Sequence, residues 1–135
     1  MSAENADSEA VLYAAYTKLA KDYTTVLRLA GEVSAACNRG EAIDDRLGQV
    51  LTLLSAIAET DSSLAPVKQK WEQAGKPSGD ALQGVISRIA ELILQLRDEW
   101  KILEDAVRAR RDRLAVELDV CNRQYRMQRA YQRKS

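Results

Sequence analysis

A chain of 135 residues without a single His excludes His-based general acid–base catalysis, Ser-His-Asp arrangements and the Glu-x-x-His repeats of di-iron bundles. The length allows one modest core, and a composition rich in Ala, Leu, Arg, Glu and Asp, with no Phe, two Pro and six Gly, favours helix. The formal net charge is zero but unevenly spread: residues 1–107 carry 11 Lys or Arg against 17 Asp or Glu, and residues 108–135 carry 9 against 3. An acidic body with a basic end marks that end as an interaction segment.

Residues 1–7 are polar and expected to fray, with Asp7 or Ser8 capping a first helix over about 8–38. Its apolar positions are Leu12, Tyr16, Leu19, Tyr23, Val26, Ala30, Val33 and Cys37. They step alternately by 4 and 3, an unbroken heptad spacing. The small Ala30 and Cys37 invite a close neighbour. Gly40 stops the helix, since it lacks the Cβ that disfavours a left-handed residue.

A second helix over about 42–74 runs on Ile43, Leu47, Val50, Leu54, Ile57, Leu64 and Trp71, with Asp61 and Lys68 on two stripe positions. Pro66 lacks an N–H. The register carries through it, so a continuous helix kinked near 61–66 is expected. A break at "TDSS", with Ser62 or Ser63 recapping, is the alternative. "AGKPSG" is a turn, and Ser78 can cap the helix after it.

The third helix, over about 79–132, carries Leu82, Ile86, Ile89, Ile93, Leu96, Trp100, Leu103 and Val107 at the same 4-3 spacing. Arg110 breaks the stripe and reads as a rim residue reaching water. The stripe resumes at Leu114, Leu118, Cys121 and Tyr125. Short connections make sequential helices antiparallel neighbours. The third helix, folded back on the second, then outruns it near Asp112. The expected fold is all-α: an antiparallel three-helix hairpin or bundle, one domain, with a long C-terminal helix extending beyond it over about 112–135.

Other chemistry is scarce. Cys37 and Cys121 are too few for a four-ligand zinc site and are expected buried or half-buried as small hydrophobes. No glycine-rich phosphate loop is present, and Asp44 and Asp45 diverge on a helix. No catalytic residue, metal or cofactor is expected. The basic "RARRDR" resembles a phosphate-tracking helix, but Asp112, Glu117 and Asp119 interrupt it, and nucleic-acid binding is not expected. The opening "MSAENADSEA" is polar and acidic, unlike a signal peptide, and no apolar run approaches the ~20 residues that cross a bilayer. A cytoplasmic protein without membrane insertion is expected.

"LYAAYTKLAKDYTTVLRLA", the Gly-acid turn in "RGEAIDDRLGQVLTLLSAI" and the ending "RDRLAVELDVCNRQYRMQRAY" together resemble the FlgN-type flagellar export chaperones over nearly the whole chain. The segment "APVKQKWEQAGKPSG" has no counterpart in that pattern. The resemblance implies a cytoplasmic chaperone that binds an exported flagellar hook-associated protein of the hook–filament junction through its C-terminal helix. The partner-binding residues it implies here are Leu114, Leu118, Tyr125, Met127, Ala130 and Tyr131, and Cys121, on the same apolar stripe, is a further candidate. The alternative is a structural coiled-coil or adaptor protein, a homo-oligomer that self-associates through the same helix.

Overall fold

The computed structural model describes residues 3–73 and 79–134, with side chains over 7–73 and 79–133. Three helices account for almost all of them: α1 (Ala3–Arg39), α2 (Asp44–Gln73) and α3 (Asp80–Lys134). The turn expected at Ala74–Ser78, with its Ser78 cap, lies outside the described residues. Helix α1 begins at Ala3, well before the expected 8. Ala3, Glu4 and Ala6 are residue types that favour helix.

Helix α1 ends in a Schellman motif. Gly40 takes φ 72°, its N–H donates to the Cys37 carbonyl (3.2 Å), and Glu41 N–H donates to Ala36 O (2.9 Å). A Cβ at residue 40 would meet nothing in space, so the demand for glycine is conformational. Gly40→Val is expected to cost about 1–2 kcal/mol of stability, read by thermal denaturation; an unchanged midpoint would remove this role.

Helix α1 is the central element. Leu12, Tyr16, Leu19, Val26, Ala30, Val33 and Cys37 are buried as their spacing predicts, and Tyr23 is half-buried. Leu29 and Ala36 are buried as well. The extra buried line exists because α1 packs against both other helices, whereas no Cα of α2 comes within 8 Å of α3. Folding the third helix back on the second is therefore corrected: α3 lies along α1. Small side chains explain the choice. Ala30 and Cys37 meet Leu103 and Ala106 in one cluster, and the nearest group across from Gly31 is the Glu99 carboxylate, 3.6 Å from where a Cβ would sit.

Helix α2 runs through Pro66 without interruption, so the alternative break at "TDSS" does not occur. It buries Val50, Ile57, Leu64 and Trp71, one side chain every seven residues. Ser62, whose carbonyl loses its usual donor at Pro66, is exposed, so water can satisfy it. Arg46 reaches Glu32 at 3.8 Å beside the 40–43 turn.

The seam of α3 is rotated from the predicted one. Leu82, Leu92, Leu103 and Ala106 are buried, and Val85, Ile89, Leu96 and Glu99 are half-buried. The contact line is thus 82, 85, 89, 92, 96, 99, 103, 106. It shares Leu82, Ile89, Leu96 and Leu103 with the predicted stripe, whose Ile86 and Trp100 are also half-buried against the core, but Leu92 and Ala106 are buried in place of Ile93 and Val107, which are 46% and 37% exposed. Both ends of α1 and α3 are tied. Gly79 N–H donates to Glu9 Oε1 (2.7 Å), and Arg113 Nη2 donates to Cys37 O (3.3 Å).

Candidate functional site

Beyond this tie α3 runs on as an exposed helix. Every residue from 111 to 133 is exposed. From Leu114 to Lys134 that is about 30 Å of helix at 1.5 Å per residue. The overhang expected from about 112 is present, although α1 rather than α2 sets its start. Arg110 is half-buried and donates through Nη1 to the Glu41 carbonyl. It is therefore not merely a rim residue reaching water: Arg110 and Arg113 place positive charge against the carbonyl end of α1, where the helix dipole favours it.

The extension propagates an existing helix, so it avoids the nucleation cost of an isolated one. Local pairs add to it. Asp119 accepts from Arg123 at 3.2 Å, one turn away, and the Arg129 guanidinium lies 5.7 Å from the Tyr125 ring centre. The cations clustered at its end suit the dipole.

All seven sequence-predicted residues lie on this extension. Leu114, Leu118, Tyr125, Met127 and Tyr131 are exposed large apolar side chains, and Cys121 and Ala130 are exposed. Burial of Cys121 is thereby corrected: its stripe is exposed, with nothing among the described residues covering it. The seven do not share one face. At roughly 100° per residue, Leu114, Leu118, Cys121 and Tyr125 cluster on one side. Met127 and Ala130 fall on nearly the opposite side and Tyr131 about 110° around the helix, with Val116 and Val120, which sequence reasoning missed and which are 64% and 46% exposed. Their own spacing of 4 and 7 was the available signal.

The thiols report on this layout. Cys37 packs with Ala106, and Cys121 lies fifteen residues, about 22 Å, farther along α3, against the ~7 Å between Cα atoms that a disulfide allows. A native-state alkylation should label Cys121 rapidly and leave Cys37 protected until unfolding. Mass spectrometry finding an intramolecular Cys37–Cys121 bridge would contradict the arrangement.

A second surface was not read from the sequence. Between α2 and α3, with α1 as its floor, runs an open groove of about 700 Å³. Tyr16, Leu19 and Tyr23 line it from α1, Ile57 and Trp71 from α2, Ile86 and Ile93 from α3. A smaller hollow of about 320 Å³, sharing Leu54 and Ile93, continues it to Trp100. The sequence signals were present. Asp61 and Lys68 replace apolar residues on the α2 stripe because those positions face the groove, and α3 carries one apolar line too many for a single neighbour.

Burial in this groove, then the negative charge of Asp61 and, for Tyr16, of Glu72, raise the Tyr16 and Tyr23 phenols above their ordinary value. A raised folded-state pKa contributes stability that is whole below the unfolded value, near 10, and lost as pH rises through the folded one. Alkaline titration followed by phenolate absorbance should show two late tyrosines. Asp61→Asn should move both down only part of the way, because desolvation is the larger cause; complete reversion would contradict that order. Among the described side chains, Trp71 Nε1 is the buried polar atom without a hydrogen-bond partner. Among the described residues no group of three or more His, Cys, Asp or Glu is placed to hold a metal ion, and no helix is long and apolar enough to cross a membrane.

No protein-family model, no curated protein and no solved structure matches this chain.

Proposed function

We propose that this chain is a non-catalytic helical binding protein, a cytoplasmic export chaperone of the FlgN type that holds an exported flagellar hook-associated protein on its α3 extension. One observation carries the reading: α3 continues about 30 Å past its last tie to α1, exposing large apolar side chains on a helix that is already formed. Such a helix is a ready helix-in-groove ligand, and it covers an aggregation-prone apolar segment of its partner. The scaffold reads as an antiparallel up-down-up hairpin. The Arg46–Glu32 approach beside the 40–43 turn, and the nearness of Tyr16 to Asp61 and Glu72 farther along α2, support that direction for α2.

The test is a titration of the purified chain with a purified hook–filament junction protein. A heterocomplex is expected. Leu118→Glu and Tyr125→Glu together should abolish it, because each brings a charge into an apolar contact. Arg123→Glu and Arg126→Glu should mainly slow association and change its salt dependence, as rim charges do. Absence of a complex at micromolar concentration would sink the flagellar reading. The second reading, a self-associating coiled-coil or adaptor protein, is favoured by the two opposed apolar lines of the extension.

A further inference from the structure

Two unfilled features of this molecule fit each other. Helix α1 packs on α2 and on α3, while α2 and α3 stay apart. Three helices so placed leave open the fourth corner of a four-helix bundle, diagonal to α1. The open groove lies at that corner. Among the described residues one helical segment, the α3 extension, is exposed throughout, and it cannot bend back into its own groove because α3 is unbroken. We infer that the groove between α2 and α3 is a helix receptor filled by the α3 extension of a second copy of this chain, reciprocally, in a two-fold dimer.

Length comes first. The groove and its continuation follow α3 from Gln83 to Trp100, about 26 Å. The apolar part of the extension, Leu114 to Tyr131, has the same length. Face comes second. The groove-lining Ile86, Ala90, Ile93, Arg97 and Trp100 occupy the same two heptad positions as Leu114, Leu118, Cys121 and Tyr125. One face of α3 therefore lines the groove in its first half and forms an apolar stripe in its second. A face of that kind is self-complementary in an antiparallel, isologous pair, and supercoiling takes up its drift of about 20° per heptad.

Register comes third. With the two-fold axis beside Asp105 and Ala106, Ile86 meets Tyr125 of the second copy, Ala90 meets Cys121, Ile93 meets Leu118 and Trp100 meets Arg111. Ile86 and Ile93 oppose large side chains, the small Ala90 opposes a thiol, Arg97 lies against Leu114, and the Trp–Arg pair permits cation–π contact. Charge agrees. The extension carries Arg123, Arg126, Arg129 and Arg133 against Glu117 and Asp119, and the groove end beside Trp71 presents Asp61 and Glu72 with Lys68, Arg97 lying farther along α3. In this register Arg129 comes level with Leu82, which shares a cluster with Trp71, beside Glu72. Each contact occurs twice, so each tail–groove pair need supply only about half of the roughly 1,600 Å² of a standard interface.

The dimer and a heterocomplex on the extension would compete for the same helix, yet the groove belongs to the dimer alone. That separates this inference from the proposed function. Sedimentation of the full chain should show a concentration-dependent dimer. Ile93→Glu in the groove and Leu118→Glu on the extension should each shift it to monomer, with circular dichroism confirming retained helix. Ile93 is nearly half exposed, so the groove variant tolerates the charge. It should keep its affinity for an export partner, whereas Leu118→Glu should lose both. Cysteine chemistry then fixes the geometry. Mild oxidation of Ala90→Cys should link residue 90 to Cys121 of the second copy and yield a covalent dimer. Wild-type protein should not link through Cys121 alone, because the two Cys121 residues would be about 46 Å apart. A wild-type Cys121–Cys121 dimer would instead show tail-to-tail pairing and overturn the inference. A monomer at all concentrations, with no Ala90→Cys cross-link, would overturn it equally.

Discussion

Leu92→Ala is expected to lower stability by about 2–5 kcal/mol, and Leu118→Ala in dilute protein by no more than ~0.5 kcal/mol. The two sites are chemically identical and lie on one helix, so the difference isolates burial. Leu92 is 1% exposed and Leu118 is 63% exposed. The first substitution leaves a void in the α1–α3 seam; the second removes a side chain already in water. Ile93→Ala provides an internal scale. Heptad spacing assigns Ile93 to the core, but it is 46% exposed at the groove, so its loss should fall well below that of its neighbour Leu92. Urea denaturation monitored by circular dichroism reads all three. Equal losses at Leu92 and Leu118 would mean that the extension is packed within one chain.

The second large effect is on binding. Truncation after Arg113 should leave the bundle folded and reduce affinity for an export partner by about 100-fold or more, at least ~2.8 kcal/mol. The cut is placed by geometry. It keeps Arg110 and Arg113, whose guanidinium groups satisfy the Glu41 and Cys37 carbonyls, and it keeps Leu103 and Ala106 against Cys37. Of the residues it removes, 114–133 are all exposed. A cut before Leu103 would instead uncover Ala30, Val33 and Cys37 and should destabilise the fold. Undiminished affinity in the Arg113 truncation would place the partner on the bundle and leave the extension to the dimer.

These two outcomes rest on features of unequal legibility. The stripe of α1 was readable because its buried positions repeat at a strict 4-3 spacing, and a central helix buries every one of them at least in part. Gly40 was readable because its demand is local, a positive φ that needs no knowledge of the neighbours. Continuity through Pro66 followed from the seven-residue spacing of Val50, Ile57, Leu64 and Trp71, which a break would have thrown out of phase. The start of α1 was less visible, since Ala3–Asp7 is polar enough to pass for a frayed end, and helix propensity rather than burial extends it.

The amino-acid sequence by itself determined three helices, the turn at Gly40 and an amphipathic α3 too long for its neighbours. Periodicity, glycine conformation and chain length are local or additive properties, and they are written residue by residue. Only the tertiary structure decided which line of α3 is core. Lines 85/92/99/106 and 86/93/100/107 share Leu82, Ile89, Leu96 and Leu103, and the pattern alone misranks them, because the first carries Glu99 where the second carries Trp100. The ranking comes from the neighbour. Ala30, Gly31 and Cys37 let α3 approach α1 closely, which buries Leu92 and turns Ile93 toward the gap left by α2. The groove exists for the same reason, and so does the exposure of Cys121: a surface is free or covered according to what lies across from it, and that is settled by how helices meet in space.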